Sequence, residues 1–213
     1  MSQAPLPVPK SSRRDLRAAL LVAAEELFAV RPYEEVTAEE IAQEAGVAKG
    51  LLYYHFVSKR GIYEAVVQAL ADDLEAITQL DLSLPPRERT AASLDAFIAW
   101  AEARQTFRSA VMGGTSSSGM IQTIVTAALD KQVELVMAGI QAAADEQGAT
   151  ESIATPTLLL AIKGWTAFVG MTTIDWLIDP ELSAEELRNL MMRALAGVFI
   201  AGTTTGQTLP QSR

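Results

Sequence analysis

Within eleven residues the chain gathers Lys49, Gly50, Tyr53, Tyr54, His55 and Lys59. These types suit recognition better than bond making. An amine can reach a phosphate or a guanine edge, and a tyrosine ring can lie against thymine methyls. Phenol and imidazole groups can hydrogen-bond phosphate oxygens, and a glycine removes a side chain that would hold a helix away from bases. Lys59 falls at a predicted helix start, where free N–H groups and the dipole also favour phosphate. His55 is the one histidine and there is no cysteine, so no histidine triad can be assembled elsewhere and no zinc site is expected. Carboxylate pairs such as Asp72-Asp73 could hold Mg²⁺, but they read more simply as a solvated helix face. Gly113-Gly114 follows a helix and lacks the lysine of a phosphate-binding loop. An enzyme is therefore not expected, nor a cofactor or a metal.

The elements that must position this cluster are legible on either side of it. Thr37 and Glu40 have the spacing of a capping box and open a short helix carrying Ile41, Ala42 and Ala45. Gly46 supplies the left-handed backbone of a tight turn, and Val47 plugs the core below it. A second short helix, about 48–56, turns Leu52 and Phe56 inward. Two such helices about a glycine turn let the second enter a major groove while the first lies across the backbone. The alternative is a helical protein-interaction module, in which the second short helix docks on a partner protein. DNA that protects specific bases decides between them.

Ahead of this pair, residues 1–11 with Pro5, Pro7 and Pro9 read as a disordered arm. A helix starts at Ser12, with Asp15 as its capping partner, and runs to Pro32 on the apolar face Leu16, Leu20, Ala23, Leu27 and Phe28. Ser58 caps a long helix, 59–79, with Ile62, Val66, Leu70, Leu74 and Ile77 on its buried side. The net charge of −9 argues at first against a nucleic-acid partner. Its distribution removes that objection. Residues 1–60 hold eight basic and eight acidic side chains, and between Glu44 and Glu64 the only charged side chains are Lys49, Lys59 and Arg60. A locally basic strip on an acidic body can dock on phosphates.

The remainder reads as helices, which makes the fold class all-α. Pro85-Pro86 opens one reaching about Phe107, Gly113–Gly119 is a flexible loop, and long helices fit 120–147, 156–177 and 183–201. Leu158–Ile178 is the one candidate membrane span, but Lys163, Asp175 and several threonines favour a buried interface helix. Ala161, Gly164, Ala167 and Gly170, and then Ala194, Gly197 and Ala201, place small residues at close steps. They suit either a dimer interface or ordinary packing within the chain. Phe97, Trp100, Arg104 and Phe107 share one helical face. Arg104 could hold an acceptor on an apolar ligand, or its stem could cover apolar surface while its head reaches water. With Met112, Met120, Trp165, Phe168, Met171 and Trp176, these residues suggest a pocket for a small hydrophobic effector.

Residues 12–62 closely resemble the N-terminal domain of the TetR family of bacterial regulators. The resemblance rests on Ile41-Ala42, Ala45-Gly46-Val47, Lys49-Gly50, Leu52-Tyr53-Tyr54-His55-Phe56 and Ser58-Lys59. It implies a three-helix DNA-binding domain, a connecting helix and a variable C-terminal domain that binds an effector and dimerises. It places Lys49, Gly50 and Tyr53 at base-reading positions and Thr37, Tyr54, His55 and Lys59 at phosphate-contacting ones. Leu51 stands where members often carry Ser or Thr, so that hydroxyl contact is missing. The expected organisation is an arm over 1–11, a DNA-binding domain over 12–60, an effector-binding and dimerisation domain over 61–205, and a frayed tail over 206–213. The expected protein is a cytoplasmic homodimer, a repressor that a small molecule displaces from a palindromic operator.

Overall fold

The structure, a computed structural model, describes residues 13–104, 119–149 and 152–203. The arm 1–11, the serine-rich loop, Phe107, Met112 and the tail 206–213 lie outside those residues, and so does the side chain of Met120. Among the described residues there are eight α-helices and no strand. They are α1 (Arg13–Val30), α2 (Ala38–Glu44), α3 (Lys49–Phe56), α4 (Lys59–Ile77), α5 (Pro86–Ala103), α6 (Gly119–Glu146), α7 (Pro156–Ile178) and α8 (Ala184–Thr203). One 3-10 turn, Tyr33–Glu35, lies between α1 and α2.

The described residues fall into two compact units, 13–68 and the remainder, and the division lies within α4, after Gln68. In the first unit, α1 packs on α2 and α3. Its core is Leu20, Ala24, Phe28, Val36, Ile41, Leu52 and Ile62, each essentially sealed from solvent. The helical positions among them recur at helical spacing, and burying such faces is what holds α2 and α3, each too short to persist alone. Phe28, Tyr33 and Tyr63 close one end as an aromatic cluster, with Phe28 and Tyr63 edge to face at 4.8 Å.

In the second unit α7 packs on both α6 and α8. Val133 and Met137 of α6 meet Leu158 and Ile162 of α7, with Leu195 and Val198 of α8 packed beside them. Helix α7 is the one described helix long and apolar enough to cross a membrane. Here its buried side forms core, and its Lys163 ammonium donates to Asp130 at 2.8 Å. Thr155 caps it by accepting from the Leu158 N–H, and Pro156 occupies the first turn. At Gly202 a Cβ would come within 2.9 Å of the Leu158 side chain, so this glycine lets α8 close onto the start of α7. Arg89 of α5 is buried, and its guanidinium donates to the carbonyls of Leu82 and Leu84 and to Glu146. It thereby ties the α4–α5 turn to the end of α6.

Candidate nucleic-acid interface

The expected capping box is present at the entry to α2. Thr37 Oγ1 accepts from the Glu40 N–H at 3.2 Å, and Glu40 Oε2 accepts from the Thr37 N–H at 2.7 Å. Arg31, just beyond α1, donates to Glu40 Oε1 at 2.8 Å and to the Glu35 carbonyl. These donors hold the Glu40 carboxyl down at about 2, with the Arg31 bond the largest cause. Gly46 follows with φ +66°, the left-handed turn expected of it. The Val47 N–H donates to the Ala42 carbonyl, which closes the turn.

Helix α3 buries Leu52 and Phe56 and turns its other side outward. That open side carries Lys49, Gly50, Tyr53 (44% exposed) and Tyr54 (62% exposed). A Cβ at Gly50 would meet nothing within 4 Å, so the glycine leaves a bare stretch of backbone facing outward. Lys49 is ion-paired with Glu39 of α2, and its ammonium lies 5.7 Å from the centre of the Tyr53 ring.

The joint to α4 is tighter than the sequence suggests. Val57 takes φ +66°, a value that strains a β-branched side chain, and is 81% exposed. A Cβ at Gly61 would overlap the Phe56 carbonyl oxygen, so only glycine lets α4 start beneath the end of α3 in this geometry.

Two expected phosphate contacts are placed otherwise. Lys59 donates 2.8 Å bonds to the carbonyls of Tyr33 and Val36, and its ammonium lies 4.1 Å above the Tyr33 ring. With two of its donors on buried or half-buried carbonyls, it is a brace inside the domain. His55 is half-buried beside Tyr54, and its Nε2 is sealed from solvent without a hydrogen-bond partner. That nitrogen cannot reach a phosphate without a change of rotamer. Thr37 is exposed, with its hydroxyl engaged by Glu40.

The sequence missed Glu39. Its approach to Lys49 crosses the glycine turn between two helices, and the one available signal was a carboxylate beside the capping residue Glu40. The expected basic strip is altered as a result. From residue 31 to residue 60 the cations are Arg31, Lys49, Lys59 and Arg60. Arg31 pairs with Glu40, Lys49 with Glu39 and Arg60 with Glu64, while Lys59 serves two carbonyls.

The residues proposed for an effector divide in the same way. Phe97 and Trp100 are buried and stacked at 6.3 Å on α5. Arg104 pairs with Asp73, and its guanidinium lies 5.9 Å from the centre of the Trp100 ring. Trp165 is buried against α8, where its indole N–H donates to the Met191 carbonyl at 3.0 Å. Trp176 likewise donates to the Leu182 carbonyl, so both indoles secure α7 to the α8 segment. Phe168 is half-buried. Met171 is 54% exposed and shares a helical stripe with exposed Leu160, Gly164, Ala167 and Ile178. It lies on the outer side of α7, away from the buried Leu158, Ile162, Trp165 and Val169.

Residues 20–66 match the family model for bacterial regulatory proteins of the tetR family. The N-terminal domain is that of the TetR family. The chain is 40% identical over 92 residues to the HTH-type transcriptional activator FasR of Mycolicibacterium smegmatis, an alignment that covers 42% of either chain. The alignment thus spans less than half of that relative's length. A tetR-family transcriptional regulator from Streptomyces coelicolor shares the fold with a TM-score of 0.77 at 22% identity, covering 89% of this chain and 82% of that one. The transcriptional regulator FadR from Bacillus subtilis, solved in complex with stearoyl-CoA, gives a TM-score of 0.68 at 16% identity, covering 84% of this chain and 96% of that one. The all-α TetR-like architecture therefore extends through the second unit. Family and relatives alike are regulators of transcription, not enzymes.

Proposed function

We propose that the chain is a cytoplasmic, homodimeric repressor that binds a palindromic DNA operator and is released from it by a small hydrophobic or amphipathic molecule. One observation carries the DNA reading. Helix α3 buries Leu52 and Phe56 while presenting Lys49, bare Gly50, Tyr53 and Tyr54 on its open side. A helix anchored on one face and furnished with donors and aromatic rings on the other can read base edges and phosphates together. Lys49, Gly50 and Tyr53 are assigned to bases, and Tyr54 and Thr37 to the backbone.

The dimer reading rests on the outer stripes of α7 and α8. Leu160, Gly164, Ala167, Met171 and Ile178 on α7, with Gly197 and Ile200 on α8, are apolar or small and exposed in the single chain. Among the described residues, a Cβ at Gly164, Gly170 or Gly197 would meet nothing within 4 Å, so no close packing there requires a glycine. A second copy would cover both helices and present two α3 helices to half-sites one turn apart, about 34–36 Å. Met171 belongs to this surface in our reading, while Phe97 and Trp100 remain the candidates for the effector site. The stearoyl-CoA bound by B. subtilis FadR supports an acyl-type effector.

The test is selection of duplexes from a random-core pool with the full chain, followed by footprinting and ultracentrifugation. Enrichment of a palindrome whose protected bases are lost on Lys49→Ala and Tyr53→Ala supports the reading. No enrichment of any duplex defeats it in favour of the protein-interaction module. In vitro transcription from a promoter carrying the selected site assigns the sign, since a rise in transcript would make the chain an activator, as FasR is named.

A further inference from the structure

We propose that Glu39 is a specificity-determining residue of the DNA interface, one that holds the Lys49 charge neutral and so suppresses binding to non-cognate DNA. The proposal rests on the operator-binding reading and deepens it. Glu39 lies in the first turn of α2 and Lys49 opens α3, so the ion pair spans the two helices at the outward edge of the motif. Both side chains are about half exposed, at 60% and 45%, and therefore face whatever docks there.

The neighbouring cations sharpen the point. Arg31, Lys59 and Arg60 are already committed to Glu40, to the carbonyls of Tyr33 and Val36, and to Glu64. Binding to any duplex through phosphates draws on cations that displace condensed counterions. In this motif Lys49 is the cation best placed on the recognition surface to do so, and Glu39 cancels it. A carboxylate is also repelled by phosphates. Against a backbone alone, the pair contributes little.

A matched major groove changes the balance. An ammonium has three donors, so Lys49 can keep Glu39 and still donate to guanine O6 and N7. The carboxylate in turn can accept from the amino group of a cytosine. Glu39 and Lys49 then act as an acceptor–donor couple that is satisfied by a particular base pattern and indifferent or repulsive elsewhere. Discrimination here comes from weakening the wrong complex as much as from strengthening the right one.

The experiment uses the full chain, a palindromic duplex recovered by selection, and a scrambled duplex of the same length and composition. Affinities of the wild type, Glu39→Gln, Lys49→Ala and the double variant are measured over a salt series, with circular dichroism checking the fold. An exposed ion pair shifts an equilibrium by roughly two- to fivefold. Glu39→Gln should therefore tighten scrambled-site binding by about that factor per subunit and steepen its salt dependence. Operator affinity should stay level or fall, and the gain on scrambled DNA should be clearly smaller in the Lys49→Ala background. The proposal is overturned if both duplexes respond alike, if neither responds, or if the gain is undiminished without Lys49, since Glu39 would then act by itself. Failure of the wild type to enrich any duplex is a separate result that removes the operator reading and this inference with it.

Discussion

Replacing Lys59 with Met removes a charge while keeping most of the stem, and the structure says this should unfold the domain more readily instead of loosening its grip on phosphates. The ammonium donates to two carbonyls at 2.8 Å and lies over the Tyr33 ring. A hydrogen bond to a charged group contributes about 1.5–3 kcal/mol, and one exposed cation–π contact adds about 0.5–1 kcal/mol. The two bonds share one charge and the site is half-buried, so their sum overstates the loss. A net cost of ~2–4 kcal/mol is expected, a large share of a typical domain's stability of about 5–15 kcal/mol. The chain offers a clean assay. Its tyrosines are residues 33, 53, 54 and 63 and its tryptophans are 100, 165 and 176, so tyrosine signals report the first unit and tryptophan signals the second. In a urea titration the tyrosine transition should move to lower denaturant while the tryptophan transition moves less. On duplex DNA at low temperature, the salt slope of folded Lys59→Met should match the wild type. If stability is unchanged and the slope falls by about one per subunit, Lys59 is a phosphate contact and the internal brace is wrong.

Leu52→Ala empties a fully buried site in α3 and should cost about 2–5 kcal/mol, read as an early tyrosine transition. Gly61→Ala should destabilise the same unit, because its methyl meets the Phe56 carbonyl oxygen; an unchanged tyrosine transition would show that the joint relaxes freely. Glu40 sits well below its ordinary 4.5, at about 2, so its contribution to stability is complete above pH 4.5 and fades as pH falls toward 2. Glu40→Gln should flatten that part of the acid-unfolding profile. Gly164→Leu should leave the isolated fold intact, since among the described residues nothing lies within 4 Å of a Cβ there, yet shift the ultracentrifuge profile toward monomer if a second copy packs there.

The motif was legible because each of its parts is local. Thr37 and Glu40 are three residues apart, Gly46 must turn left-handed, and Leu52 and Phe56 share a face by helical spacing alone. The same holds for Ser183 and Glu186, which form the expected box at the start of α8. The residues with contacts that the sequence did not indicate are long side chains whose partners lie far off in sequence. Lys59 is captured by carbonyls 23 and 26 residues earlier, and Arg104 by an aspartate 31 residues earlier. Periodicity fixes where a Cβ points, but not which way four further bonds turn. Met171 illustrates a different limit. Its type suits a ligand wall, yet the helical stripe it shares with Gly164 is outward, and only the packing of α6 and α8 against the other side of α7 decides that.

The internal engagement of Arg31, Lys49, Lys59 and Arg60 also bears on how such a protein would search a genome. Residence on random sequence is set largely by the number of condensed counterions a protein displaces, and sliding requires that residence to be long. A motif whose cations are engaged by its own carboxylates and carbonyls would leave such sequence sooner than one whose cations stand free. It would travel mainly through solution, sampling many sites briefly, with fewer molecules held idle on the chromosome. Fewer copies would then be needed to fill one operator, and occupancy would respond sharply when an effector altered the affinity.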